Sequence, residues 1–306
     1  MELSWRICRA TSAWHWAISV ARGRVANRQA ADPAVAELLS RLELLVVPLG
    51  VTADRWWQHV LSLASQSKSP DDLVHRLLTS LTRPEDRTPT LEVQLLDGIQ
   101  RVEAAFARTF PRFDQEMPMR IAPLQAQWET FGPGLVRQLV HRVGADVLAE
   151  CAELLLVPPV VGGAGTAHWR SNRVHFEAVL TNPHPELPEV VRLVWLLAQL
   201  DLDRPVFREA NSGDRLPDLG ALAMIPPVIE SAAELGLCER GPETIGDALR
   251  YWDLPQRHQP EMPDVLRSWW ETFTNFRPSW AIGLVALERM LSGVRPDAAS
   301  DIGDFL

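Results

Sequence analysis

Prolines stand at the heads of successive apolar-periodic stretches, and that placement constrains the fold more than any other feature. Asp32-Pro33 supplies an N-cap with proline at the first helical position, leading into a helix over 34–47. Ser69-Pro70-Asp71-Asp72 repeats the device and sets two carboxylates at the positive end of the helix dipole. Thr90 can cap a helix over 91–110, where Leu95, Ile99, Val102 and Phe106 recur at helical spacing. Further starts are expected at Pro188, Pro227, Pro242, Pro263 and Pro278, and stops at Gly236 and Gly293. Many of the 24 prolines thus punctuate helices. The fold expected is mainly α, a multi-helix body.

One stretch departs from this pattern. Over 173–180, Val174, Phe176, Ala178 and Leu180 alternate with Arg173, His175 and Glu177, which is the period of a strand. Ser171-Asn172 suits a two-residue turn, so residues 166–180 are expected to form a β-hairpin or small sheet. That register sets His168 opposite His175, Trp169 opposite Val174, and Thr166 opposite Glu177. An apolar face then packs on the helices and a polar face points outward.

The polar face carries the candidate chemistry. Opposed residues on antiparallel strands have Cβ atoms about 5 Å apart, so His168 and His175 could share a metal ion or a proton, with Glu177 beside them. Two imidazoles and a carboxylate make a catalytic metal set with one position open to water. The plainer reading is a solvated face on which Arg170 and Arg173 repel a cation. Before the hairpin, the glycine-rich segment 160–166 follows the apolar run 154–157, read as the end of a helix. Such a loop can cradle phosphate with backbone N–H groups, though a flexible connection is the plainer reading.

After the hairpin, 188–200 is apolar nearly all round, as in a buried helix. Its polar side holds Glu189, Arg192 and Gln199. A Glu189–Arg192 pair at i, i+3 is the structural expectation, and Arg192 facing the hairpin is the catalytic alternative. Asp201 and Asp203, just beyond, are either a cation site or two solvated acids. A strand of alternating character followed by a buried helix resembles, in outline and over about 35 residues, the layout of HExxH zinc peptidases. The helix holds no histidine, so the resemblance implies at most a degenerate, metal-free relative.

Other classes drop out on residue types. Lys68 is the single lysine, against 29 arginines, and lies in the polar segment 65–70. Walker-type phosphate loops, protein kinases and pyridoxal enzymes each require a lysine in a specific setting. No GxSxG elbow is present. Cys8, Cys151 and Cys238 are scattered and odd in number, with Cys151 and Cys238 read as lying in or beside apolar helices. They suggest a reducing compartment and no zinc or disulfide framework. The longest uncharged run, 154–169, is too short and too broken by Pro and Gly to cross a membrane, and the start does not read as a signal peptide.

Charge is uneven. Residues 1–150 carry 17 basic and 17 acidic side chains, so the net −9 falls entirely on 151–306. Nucleic-acid binding therefore has only a basic start to work with: Arg6, Arg9, Arg22, Arg24 and Arg28, interleaved with Trp5, Trp14 and Trp16. They could form an arm for nucleic acid or an anionic membrane surface, but a first helix with a solvated basic face is the plainer reading. The 12 tryptophans include two adjacent pairs, Trp56-Trp57 and Trp269-Trp270, each expected to be one core and one half-covered residue. The loops 82–90 and 111–123 suggest two regions, 1–115 and 116–306, with one continuous body as the alternative. The expectation is a cytoplasmic, arginine- and tryptophan-rich interaction or structural module that binds a protein partner or itself through its exposed tryptophans, with no cofactor. A hydrolase, metal-assisted or peptidase-like, with His168, His175, Glu177 and Arg192 at its site is the alternative, so the question of catalysis stays open.

Overall fold

The computed structural model describes residues 1–26, 30–208 and 215–294. The fold is mainly α with one small four-stranded sheet. Among the described residues no helix is long and apolar enough to cross a membrane. The chain forms two compact units, Glu2–Ala126 with Cys151–Pro183, and Gln127–Glu150 with His184–Leu306, to which Met1 also belongs. The hairpin thus groups with the N-terminal helices rather than with residues 116–306.

In the first unit the chain begins with strand β1 (Glu2–Ile7), not with a helix, and then enters α1 (Arg9–Ala21). There follow α2 (Pro33–Val46), α3 (Ala53–Ala64), α4 (Pro70–Leu81), α5 (Pro89–Thr109) and the start of α6 (Phe113–Val143). The expected caps form: Asp32 accepts from the Ala34 N–H at 3.0 Å, and Ser69 accepts from the Asp72 N–H at 3.2 Å. The α5 cap is Thr88 rather than Thr90, because Pro89 takes the first helical position and Leu91 N–H reaches the Thr88 hydroxyl at 3.2 Å. Neither expected linker separates the units. The segment 82–90 joins α4 to α5 within one unit, and most of 111–123 is helix, with Pro118 and Pro123 inside α6.

The sheet has the order β1-β2-β4-β3, with β2 (Cys151–Val157), β3 (Gly165–His168) and β4 (Arg173–Glu177). The run 154–157 is therefore strand, not the end of a helix: β2 is the central parallel partner of both β1 and β4. A strand buried on both faces reads as continuous apolar sequence, which is also how a buried helix reads. Helix α1 lies against β2, and its residues Thr11 to Ser19 are all buried. Tryptophans anchor its surroundings: Trp14 meets Trp57 of α3, and Trp16 meets Phe106 of α5 while its N–H donates to Ala30 O at 2.7 Å.

The second unit continues from the end of α6 to α7 (Glu189–Leu197), α8 (Pro205–Arg208), α9 (Leu216–Ala223), α10 (Ile225–Glu234), α11 (Pro242–Tyr251), α12 (Met262–Phe276) and α13 (Trp280–Val294). Every residue of α7 is buried. Helix α10 stops as expected, with Gly236 at positive φ just beyond it, whereas α13 runs on through Gly293. At the α12–α13 contact Trp269 N–H donates to Gly283 O at 2.8 Å. Both members of each tryptophan pair are buried, and the partly exposed tryptophans are Trp5, Trp128 and Trp169.

Candidate functional site

The alternating polar face exists, but its register and its surroundings differ from the expectation. His168 pairs with Arg173 and Thr166 with His175, around a four-residue turn, Trp169 to Asn172. The turn closes through Ser171 N–H to His168 O at 2.9 Å and places Asn172 at φ 48°. Asparagine tolerates that left-handed conformation, and the two extra turn residues move the register by two. A shift of two keeps every side chain on its face, whereas a shift of one reverses them all. His168, His175 and Glu177 therefore still share a face, with His168 and His175 diagonal rather than opposed.

These three side chains are buried although Thr166 and Arg173 on the same face reach solvent: His168 is 8% exposed, His175 2% and Glu177 0%. His15 of α1 completes the group, its ring 5.0 Å from that of His175. His168 Nε2 and His175 Nδ1 lie 2.9 Å apart, so one N–H donates to the other's lone pair. His15 Nε2 lies 2.7 Å from Glu177 Oε1 and, facing a carboxylate, carries the proton and donates. Nearer the start of β4, Glu153 of β2 bridges Arg6 of β1 and Arg173.

The glycine-rich segment supplies the rest. Val160 and Val161 N–H donate to Glu177 Oε1 at 2.8 and 2.7 Å. Gly162, Gly163 and Ala164 N–H donate to Oε2 at 2.8, 2.6 and 2.9 Å. Gly162 and Gly163 have φ of 101° and 128°, values that let consecutive N–H groups converge and that favour glycine. The loop is thus an anion cradle, and its anion is the chain's own glutamate.

These contacts decide the charges. Burial pushes Glu177 up, but His15 and the loop amides outweigh it and hold the carboxyl at about 2. Burial, helped by the nearby Arg173, lowers His168 to about 4. His175 is driven well below 6.5, first by burial and then by His15 and His168. At neutral pH the site therefore holds one carboxylate and a neutral His168–His175 pair.

The set expected for a metal ion is not drawn around a common point. His168 and His175 face each other directly, and both oxygens of Glu177 are taken by six donors. Among the described residues, no group of three or more His, Cys, Asp and Glu side chains is placed to hold a metal ion. Arg192 belongs to the second unit, where it pairs with Glu189 as the i, i+3 spacing implies. Asp201 pairs with Arg204 at 3.9 Å, and the Asp203 side chain lies outside the described residues.

The basic start is largely spent on ion pairs, Arg6 with Glu153, Arg9 with Asp114 and Arg22 with Asp54, while Arg28 lies outside the described residues. Cys151, expected in or beside an apolar helix, is the exposed first residue of β2; all three cysteines are free thiols, and burial raises Cys238 to about 11. His15 is the member that sequence reasoning missed. Its signal was a lone imidazole between two tryptophans in an otherwise apolar helix. No protein-family model matches the chain, nor does any curated protein or solved structure.

Proposed function

We propose that this chain is a non-catalytic, cytoplasmic module that works through protein contacts, self-association being the form to test first. One observation carries the reading. The polar cluster that a hydrolase would use is closed, with His168, His175, His15 and Glu177 bonded to one another and to backbone rather than aimed into a cleft. A general base or metal ligand must reach a substrate or a water, and these groups reach only the protein. Large apolar side chains meanwhile face solvent: Phe276 at 80% and Ile282 at 62% flank the α12–α13 connection. Three free cysteines suit a reducing compartment.

Light scattering coupled to size exclusion, run over the accessible concentration range, tests the reading. The full chain should exceed the mass of one copy, and Phe276→Ser with Ile282→Ser should return it to a monomer. A wild type that stays strictly monomeric removes self-association. Hydrolytic turnover that disappears in His168→Gln removes the non-catalytic reading.

A further inference from the structure

The glycine-rich cradle is a site in its own right. Five consecutive N–H groups, Val160 to Ala164, converge with His15 on one carboxylate, three donors to each oxygen at 2.6 to 2.9 Å. Two oxygens with about four lone-pair positions are fully used by such a set. The donors belong to the loop and to α1, whereas the acceptor belongs to β4. The loop is also held by two main-chain bonds that do not involve the Glu177 side chain, Ala26 N–H donating to Val160 O and the Glu177 backbone N–H donating to Ala164 O, both at 2.9 Å.

We propose that Val160–Ala164 with His15 form a carboxylate-binding site of which Glu177 is the tethered ligand, and that cutting the tether lets a free short monocarboxylate occupy it. Glu177→Ala removes a CH2–COO group, the size of acetate, and leaves His15 and five loop N–H groups, buried at Val160 and part-buried from Val161 to Ala164, without their acceptor. Each orphaned buried donor carries a desolvation cost, which a small carboxylate relieves through the same two oxygens. A phosphate presents four oxygens to a space built for two, so it is expected to bind poorly. Chloride has neither the shape nor the paired acceptors.

The experiment is thermal unfolding of full-length Glu177→Ala in sodium acetate, sodium formate, sodium phosphate and sodium chloride at matched ionic strength and neutral pH. Acetate and formate should raise its Tm saturably, by about 3 °C or more at ten times the dissociation constant, beyond any effect of chloride or phosphate. Wild type, whose cradle is filled, should respond to acetate no more than to chloride. If Glu177→Ala does not fold in buffer, its refolding yield in acetate against chloride is the readout, and equal yields overturn the proposal. So does an equal response to all four salts, no response to any, or an acetate response as large in wild type as in the variant.

Discussion

Acidification should destabilise the first unit through its buried His168 and His175 before Glu177 is protonated. In the unfolded chain His168 titrates near 6.5, and in the folded protein burial beside Arg173 lowers it to about 4. Between these values the unfolded state binds a proton that the folded state refuses, so stability falls as the pH drops from 6.5 towards 4. At about 1.36 kcal/mol per pH unit, that interval is worth about 3 kcal/mol, a sizeable part of a domain's total stability. His175 shifts in the same direction and adds to the loss. Glu177 acts in a lower window. Its carboxyl, held at about 2 against an ordinary 4.5, withdraws its contribution only as the pH falls from 4.5 to 2. The perturbation is His168→Gln, which keeps a hydrogen-bonding side chain and removes the titration. Urea unfolding followed by tryptophan fluorescence at pH 7, 6, 5 and 4 gives the stability of each protein. Wild type should lose about 3 kcal/mol more than the variant between pH 7 and pH 4. Parallel losses in the two proteins, or a His168 imidazole that titrates near 6.5 by NMR in the folded state, would refute the reasoning.

Two further outcomes follow from packing. Arg192→Met takes the ion-pair partner from the buried Glu189 carboxylate and should cost about 3 kcal/mol, and adding Glu189→Gln should restore part of that in the double variant by urea unfolding. Gly98→Ala drives a Cβ into Leu42 Cδ2 where α5 meets α2, so it should cost about 1–3 kcal/mol; an unchanged Tm would show that Leu42 has room to turn aside.

What the sequence made legible was whatever depends on local chemistry. Asp32-Pro33 and Ser69-Pro70 mark their helices because cap and proline act within one turn, and Glu189–Arg192 reads as a pair because i, i+3 neighbours meet on any helix. The alternation at 173–177 marked a strand and grouped His168, His175 and Glu177 on one face. Non-local matters were not legible. The apolar run 154–157 is a central strand only because β1 and β4 flank it from about 150 residues before and 20 after. The outward direction expected for the polar face failed for the same reason. Alternation reports that a strand has two unlike faces, not what lies over the polar one, and α1 is supplied from the far end of the unit.

The three consecutive residues Trp14, His15 and Trp16 explain why a polar group belongs under that helix. Successive residues on a helix point about 100° apart, so these three sweep most of its circumference. Trp14 goes to Trp57 on α3, His15 to Glu177 on the sheet, and Trp16 to Phe106 on α5 and to Ala30 O. The two aromatic contacts are apolar and tolerate rotation and sliding. The imidazole–carboxylate bond does not, because a buried His15 N–H turned away from Glu177 is left without its acceptor. Five loop amides fix where that carboxylate stands, and the carboxylate fixes where His15, and hence α1, stands. The cluster thus acts as a polar key that sets one helix in one orientation on the sheet.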